Sequence, residues 1–230
     1  MKKALFEKGI YSLTDASRYT HIPAGQLRRW AFGYERTLAK GIRRYPPVFE
    51  VSYEPLDHER VISFGDLIEA RFVREFREAG VSLQTIRIAV QRAQELLESS
   101  HPFSTRKFKT DGKTIMAEII TAPDAPCELL DLKNNQMALN RILSPYLFKG
   151  IEFTDGDVAC RWWPHGEGNA VVLDPRRSFG QSILNESGVP TNTLFLSFKA
   201  NGSAKAVAEI FELPLRDVEK AIEYERELAA

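Results

Sequence analysis

Gln26, Arg28 and Arg29 stand together in the stretch AGQLRRWAF, residues 24–32. Arginine can fork onto a guanine edge or clamp a phosphate, and glutamine can pair with an adenine edge. Just ahead, Thr20 and His21 could present a hydroxyl, an imidazole and backbone N–H groups to a phosphate at a helix N-terminus. Arg43, Arg44 and Tyr45 form a second basic and aromatic group, better suited to phosphate contact than to reading bases. The chemistry these residues suggest is a grip on double-stranded DNA.

Reactive constellations are thin by comparison. Asp155 and Asp157 flank a glycine in a turn-like setting and read as turn residues rather than an acid/base pair. His21, His58, His101 and His165 are scattered, without HExxH or other metal spacing. There is no GxGxxG, phosphate loop or nucleophile elbow, and GEGNA at 166–170 lacks the strand-to-helix setting of a phosphate cradle. Arg161-Trp162-Trp163-Pro164 reads as strand residues followed by a terminator. Cys127 and Cys160 are isolated, which suits a reducing compartment and argues against a disulfide framework or structural zinc. The expectation is therefore no enzyme, no catalytic residues, no metal and no cofactor.

The chain has 230 residues, of which 43% are hydrophobic and 27% charged, an ordinary globular balance. No apolar run is long enough for a membrane span, and MKKALFEKG lacks the apolar stretch of a secretory signal, so a cytoplasmic location is expected. Zero net charge conceals a gradient. Residues 1–47 hold ten Lys/Arg against three Asp/Glu, and residues 203–230 hold four against seven. A basic head fits a polyanion, and an acidic tail fits a different partner.

The elements that must position these groups follow from caps and periodicity. Ser12 predicts the N-cap of a helix over 13–19, broken by Thr20-His21-Ile22-Pro23, with a second helix over 24–32. Leu27 and Trp30, three apart, should face the core and turn Gln26, Arg28 and Arg29 outward, which makes a helix-turn-helix. VFEVSY (48–53) and ERVISF (59–64) read as two strands around a turn at 54–58, a wing. Helices follow over 65–79 and from Ser82 onward. In the latter, Leu83, Ile86, Val90 and Leu97 trace a short heptad seam that fits either burial within the chain or pairing of two copies into a homodimer.

From Ser100 the pattern changes. Asp111-Gly112 and Asp155-Gly156 both predict hairpin turns, and a helix is expected over 135–148 with Pro145 straining its last turn. The end of the chain is helical: one helix from Thr191 or Asn192 to Lys199, one capped by Ser203, and one from Pro214 to about Leu228. Leu215, Val218 and Ile222 should face inward, leaving the carboxylates of the last helix in solvent.

Two resemblances sharpen this. YSLTDASRYTHIPAGQLRRWAFGY, the wing and ISFGDLIEARFVREFREAGVSLQTIR resemble the MerR-like winged helix-turn-helix, in particular the N-terminal domain of VapB-type antitoxins, over residues 8–100. Residues 171–225 resemble a helical domain, formerly of unknown function, found in toxin–antitoxin loci. Asp174-Pro175, Gly180 and Gly188-Val189-Pro190-Thr191 fit its pattern; Ser182 departs from a frequent proline, and Asn185-Glu186-Ser187 replaces an Arg-Gly-Thr-like approach. The resemblance implies an antitoxin that represses its own operator and neutralises a PIN-domain ribonuclease toxin. Phe195 and Phe198 would then supply apolar contact to the toxin, with Asp217, Glu219 and Glu223 as an acidic rim. A ligand-sensing regulator and a helical adaptor without DNA contact remain open alternatives. The expected fold is α+β and mainly helical: a winged helix-turn-helix at 1–100, a small mixed α/β region at 101–170, and a three-helix, helix-turn-helix-like domain at 171–230.

Overall fold

The computed structural model describes residues 8–39, 41–55, 59–129, 132 and 135–229, with the backbone alone at 136–138. They form two compact units. The N-terminal unit comprises residues 12–148 and 153–159; the C-terminal unit comprises 8–11, 149–152 and 160–229. The fold is α+β and mainly helical, with a helix-turn-helix near its start, as expected.

In the N-terminal unit, α1 (Leu13–Thr20) starts where the Ser12 hydroxyl accepts the Asp15 N–H at 3.0 Å. His21, in the left-handed region at φ 55°, ends it, and Pro23 opens α2 (Ala24–Phe32). Leu27 and Trp30 are buried, so their spacing does anchor α2 to the core.

The wing lies elsewhere than the sequence suggests. It is the antiparallel pair β1 (Tyr34–Leu38) and β2 (Gly41–Tyr45), directly after α2. Gly33 makes this turn possible: at φ +67°, a side-chain carbon there would lie 2.5 Å from the Tyr45 carbonyl oxygen. The expected strand at 48–53 instead pins the chain after the wing. Val48 and Phe49 are buried, and the Val48 N–H donates to the Trp30 carbonyl at 2.7 Å. Of the expected strand at 59–64 only Val61–Ile62 forms a strand; His58 and the rest of 56–58 lie outside the described residues. Hydrophobicity misled because an exposed wing shows no apolar face, whereas a buried connector does.

Helix α3 (Phe64–Glu78) begins with a reciprocal cap: Ser63 Oγ accepts the Asp66 N–H, and Asp66 accepts the Ser63 N–H at 2.7 Å. Helix α4 (Leu83–Leu97) begins at the Ser82 cap. Phe72, Phe76, Phe103, Phe108 and Phe148 build the aromatic centre of this unit, with contacting ring centroids 4.8 to 6.3 Å apart.

A second correction concerns Asp111-Gly112. No hairpin turns there; the segment is α5 (Arg106–Thr121), capped by Thr105. Phe108, Ile115, Met116 and Ile119 are buried at helical spacing. Gly112 serves close packing, since a side-chain carbon on it would lie 2.8 Å from Leu143 Cδ2. The expected helix over 135–148 is α6 (Gln136–Ile142) followed by a tighter turn at Pro145–Phe148, the break proline imposes.

Strands β3 (Ile151–Phe153), β4 (Ala159–Trp162), β5 (Val171–Leu173) and β6 (Ser182–Leu184) form a sheet in that order. The Asp155-Gly156 turn does join two strands. Val171 and Leu184, cross-strand partners, pack on the helices α7 (Thr191–Asn201), α8 (Ala204–Phe211) and α9 (Leu215–Glu227); Val172 and Ile183, the next pair, belong with Trp163 instead. Ser203 caps α8, as expected. Pro190, not Thr191, precedes α7, because the Thr191 hydroxyl is engaged by Ser182 and Glu225. Leu215 is 41% exposed rather than inward, and Glu225 is buried rather than in solvent.

Candidate nucleic-acid interface

Helix α2 and the wing enclose a groove of about 1110 Å³. Arg28, Arg29, Arg36, Arg44 and Arg60 line it, together with one carboxylate, Glu35. All five arginines are exposed. The Arg44 Nε donates to Glu35 Oε1 at 2.7 Å across the wing, which fixes Arg44 and partly balances its charge. Arg60 lies 5.0 Å from the Phe32 ring centroid, and the Arg29 guanidinium 6.0 Å from that of Tyr34. Arg29 also donates from Nε to the Gly25 carbonyl at 3.2 Å. These contacts hold several guanidiniums on rigid supports, which lowers the ordering cost of binding an anion.

The two strands of the wing are tied together by stacked rings. Tyr34 and Tyr45 face each other at 4.5 Å with planes 9° apart, and the Arg43 guanidinium lies 5.2 Å from the Tyr45 centroid. Arg87 on α4 donates to the Pro46 and Pro47 carbonyls, both at 3.0 Å, and so secures the chain as it leaves the wing.

Against expectation, Thr20 is not presented to a ligand. It is buried, its hydroxyl donates to the Ala16 carbonyl at 2.6 Å and accepts the Ile22 N–H. His21 is exposed, at the C-terminal end of α1. Gln26 is half-buried near the start of α2. Arg43, Arg44 and Tyr45 do not precede the wing; they are its second strand. Tyr34, Arg36 and Arg60 were missed. A readable signal existed, since Tyr34-x-Arg36 and Arg43-x-Tyr45 are mirror images in the sequence, the period-two pattern of a hairpin.

The heptad seam is used within the chain. Ile86 and Val90 are buried in the core of the N-terminal unit, while Leu83 and Leu97 are half-buried. The seam is thus corrected to intrachain packing. The apolar contacts assigned to Phe195 and Phe198 are corrected as well: Phe195 is buried beneath Lys199, whose Nζ is 4.4 Å from its ring centroid, and Phe198 is half-buried with Arg226 at 5.1 Å. Leu196 and Ile210 are instead the strongly exposed apolar side chains of α7 and α8. Glu219 and Glu223 are exposed on α9, and Asp217 is half-buried. Among the described residues, no group of three or more His, Cys, Asp or Glu is placed to hold a metal, and no helix is long and apolar enough to cross a membrane.

An exposed arginine groove beside a helix-turn-helix defines a class of surface, and comparisons with known proteins agree with it. Residues 9–90 match a family described as "Putative DNA-binding HTH domain". The chain is 29% identical to the "Putative antitoxin VapB45" of Mycobacterium tuberculosis, over 94% of this chain and 95% of that protein. It is 22% identical to the uncharacterized protein Rv2308 of the same organism, over 96% of this chain and 92% of that one. A crystal structure of Rv2018 from Mycobacterium tuberculosis shares the fold, with a TM-score of 0.68 at 22% identity over 92% of this chain and 96% of that one.

Proposed function

We propose that this chain is a DNA-binding antitoxin that represses its own operator and neutralises a PIN-domain ribonuclease toxin. The observation that carries the reading is the groove between α2 and the wing, where five arginines face one carboxylate. Arg28 and Arg29 on α2 reach base edges in the major groove, and Arg43, Arg44 and Tyr45 on the wing meet phosphates. The likeness of nearly the whole chain to a protein named as an antitoxin supports the second half of the reading.

The toxin-facing role falls to the C-terminal unit. Its last helix carries Glu219 and Glu223 in solvent, a field that repels phosphates and attracts the basic surface an RNA-cutting enzyme must present. Leu196 and Ile210 supply the exposed apolar contact that the buried Phe195 cannot. A homodimer belongs to the proposal because helix-turn-helix readers generally address paired half-sites. Its contacts lie away from Ile86 and Val90.

A reporter driven by the chain's own upstream DNA tests the reading. Expression of the full chain should lower the signal, and Arg28→Ala with Arg29→Ala should restore it. A PIN-domain protein encoded alongside should co-purify with the wild type and be lost with Glu219→Lys plus Glu223→Lys. An unrepressed reporter would reject the DNA-binding half; unchanged co-purification would move the toxin surface elsewhere.

A further inference from the structure

Within the C-terminal unit, the loop at 168–170, the turn at 185–187 and the start of α9 converge on a cavity of about 370 Å³. Trp163, Leu184 and Leu213 form its apolar part. Trp163 is buried and its Nε1 donates to Glu152 Oε1 at 2.7 Å, so this wall is rigid. The charged part holds both signs. Arg216 and Lys220, one turn apart on α9, line the cavity together with Asp217 and Glu186. Among the described residues, the side chains of Arg216, Asp217 and Lys220 have no ion-pair or hydrogen-bond partner, although Asp217 and Lys220 are half-buried. Charged groups drawn partly out of water and left unpaired carry a solvation cost that a ligand of matching charge offsets.

We infer that this cavity binds a free α-amino acid with an apolar side chain. Its carboxylate meets Arg216 and Lys220, its ammonium meets Asp217 and Glu186, and its side chain covers Trp163 and the two leucines. Two neighbouring amides favour that arrangement. Asn169 accepts the Ala170 N–H on its side-chain oxygen at 2.6 Å, which leaves its NH₂ to donate to a carboxylate. Asn185 donates to Glu186 Oε1 at 3.0 Å and steadies that acceptor. The mixed lining also discriminates. Phosphate alone would face two carboxylates, and a simple amine would face two cations, whereas a zwitterion satisfies both sets. The volume lies at the low end of the roughly 300–1,000 Å³ of small-molecule sites, which suits an amino acid and excludes a dinucleotide. At Gly168, φ +83°, the space where a side chain would stand is open, so the ligand can approach the loop backbone. The site belongs to the C-terminal unit alone and does not depend on the DNA-binding or toxin-binding reading. A bound amino acid would tie α9, the helix that carries Glu219 and Glu223, to the loop at 168–170.

The test is isothermal titration calorimetry of the full chain with leucine, isoleucine, methionine and phenylalanine as probes. At least one should bind, and glycine and inorganic phosphate should bind at least about tenfold more weakly. The N-acetyl derivative and the methyl ester of the binding amino acid each lack one charge, and each should lose about tenfold or more. Asp217→Asn and Lys220→Met should weaken the free amino acid to a similar degree, with circular dichroism verifying that both variants fold. The acetyl and ester comparison uses the wild type and decides the matter even if a variant fails to fold. Absence of binding by all four probes overturns the site. Equal binding of phosphate, undiminished binding of both derivatives, or wild-type affinity in both folded variants overturns it as well.

Discussion

The rings of Tyr34 and Tyr45 stack at 4.5 Å, and through them the first residue of the wing is fastened to its last. The pair closes the open end of the hairpin and seats Arg29 and Arg43 beside it. Aromatic pairs of this geometry contribute about 0.5–1.5 kcal/mol beyond their buried area. Tyr45→Ala should lower stability by about 1 kcal/mol in urea unfolding and weaken DNA binding, while Tyr45→Phe keeps both. Equal loss in the alanine and phenylalanine variants would show that stacking is not what matters.

Gly33 is the second fixed point of the wing. Gly33→Ala meets the Tyr45 carbonyl oxygen and a left-handed backbone, so it should cost at least about 2 kcal/mol. Gly25, in the first turn of α2, has open space around it and an ordinary backbone, so Gly25→Ala should raise stability by roughly 0.5–1 kcal/mol. Thermal unfolding of both variants checks the contrast; similar shifts would contradict it.

Val90 is 2% exposed within the N-terminal unit. Val90→Asp should therefore unfold the unit rather than separate two copies, with a loss of at least about 3 kcal/mol. A folded variant of native stability, seen by circular dichroism and urea titration, would place Val90 at a surface after all.

That residue shows where the sequence stops being legible. Periodicity identifies Leu27, Trp30, Ile86 and Val90 as apolar seams, but it says nothing about which surface each seam meets. Caps were readable because they are local: Ser12, Ser82 and Ser203 start helices as expected, whereas Ser63, read into a strand, caps one as well. Asp111-Gly112 and Asp155-Gly156 look alike, yet only the second turns, because Leu143, distant in sequence, claims the space beside Gly112. The candidate groove was half visible. Arg28 and Arg29 stood out, whereas Arg36 and Arg60 join them only through the turn at Gly33 and the segment that returns after the wing.

Glu69 predicts a pH response in stability. It is buried, accepts the Ser104 N–H at 2.9 Å, and burial outweighs nearby His101 in pushing its carboxyl from 4.5 up to about 7. A folded-state value above the unfolded one means the native state holds the proton more tightly, so stability falls as pH rises from about 4.5 to about 7. The full effect is on the order of 3 kcal/mol. Glu69→Gln should flatten that fall, with urea midpoints at pH 5 and pH 8 as the readout. A variant that loses as much stability as the wild type over this window would assign the response to another group.

The most direct test of the DNA-binding groove is the salt dependence of affinity for the chain's own upstream duplex, followed by fluorescence anisotropy. Each phosphate met by a cation contributes a slope of about −0.9 in log affinity against log salt, so Arg36, Arg43, Arg44 and Arg60 on phosphates predict roughly −4. Arg43→Ala with Arg44→Ala should make the slope shallower by nearly 2, and Arg28→Ala with Arg29→Ala should weaken binding by about 2 kcal/mol or more. A flat salt profile for the wild type, or wild-type affinity in both double variants, would contradict the account.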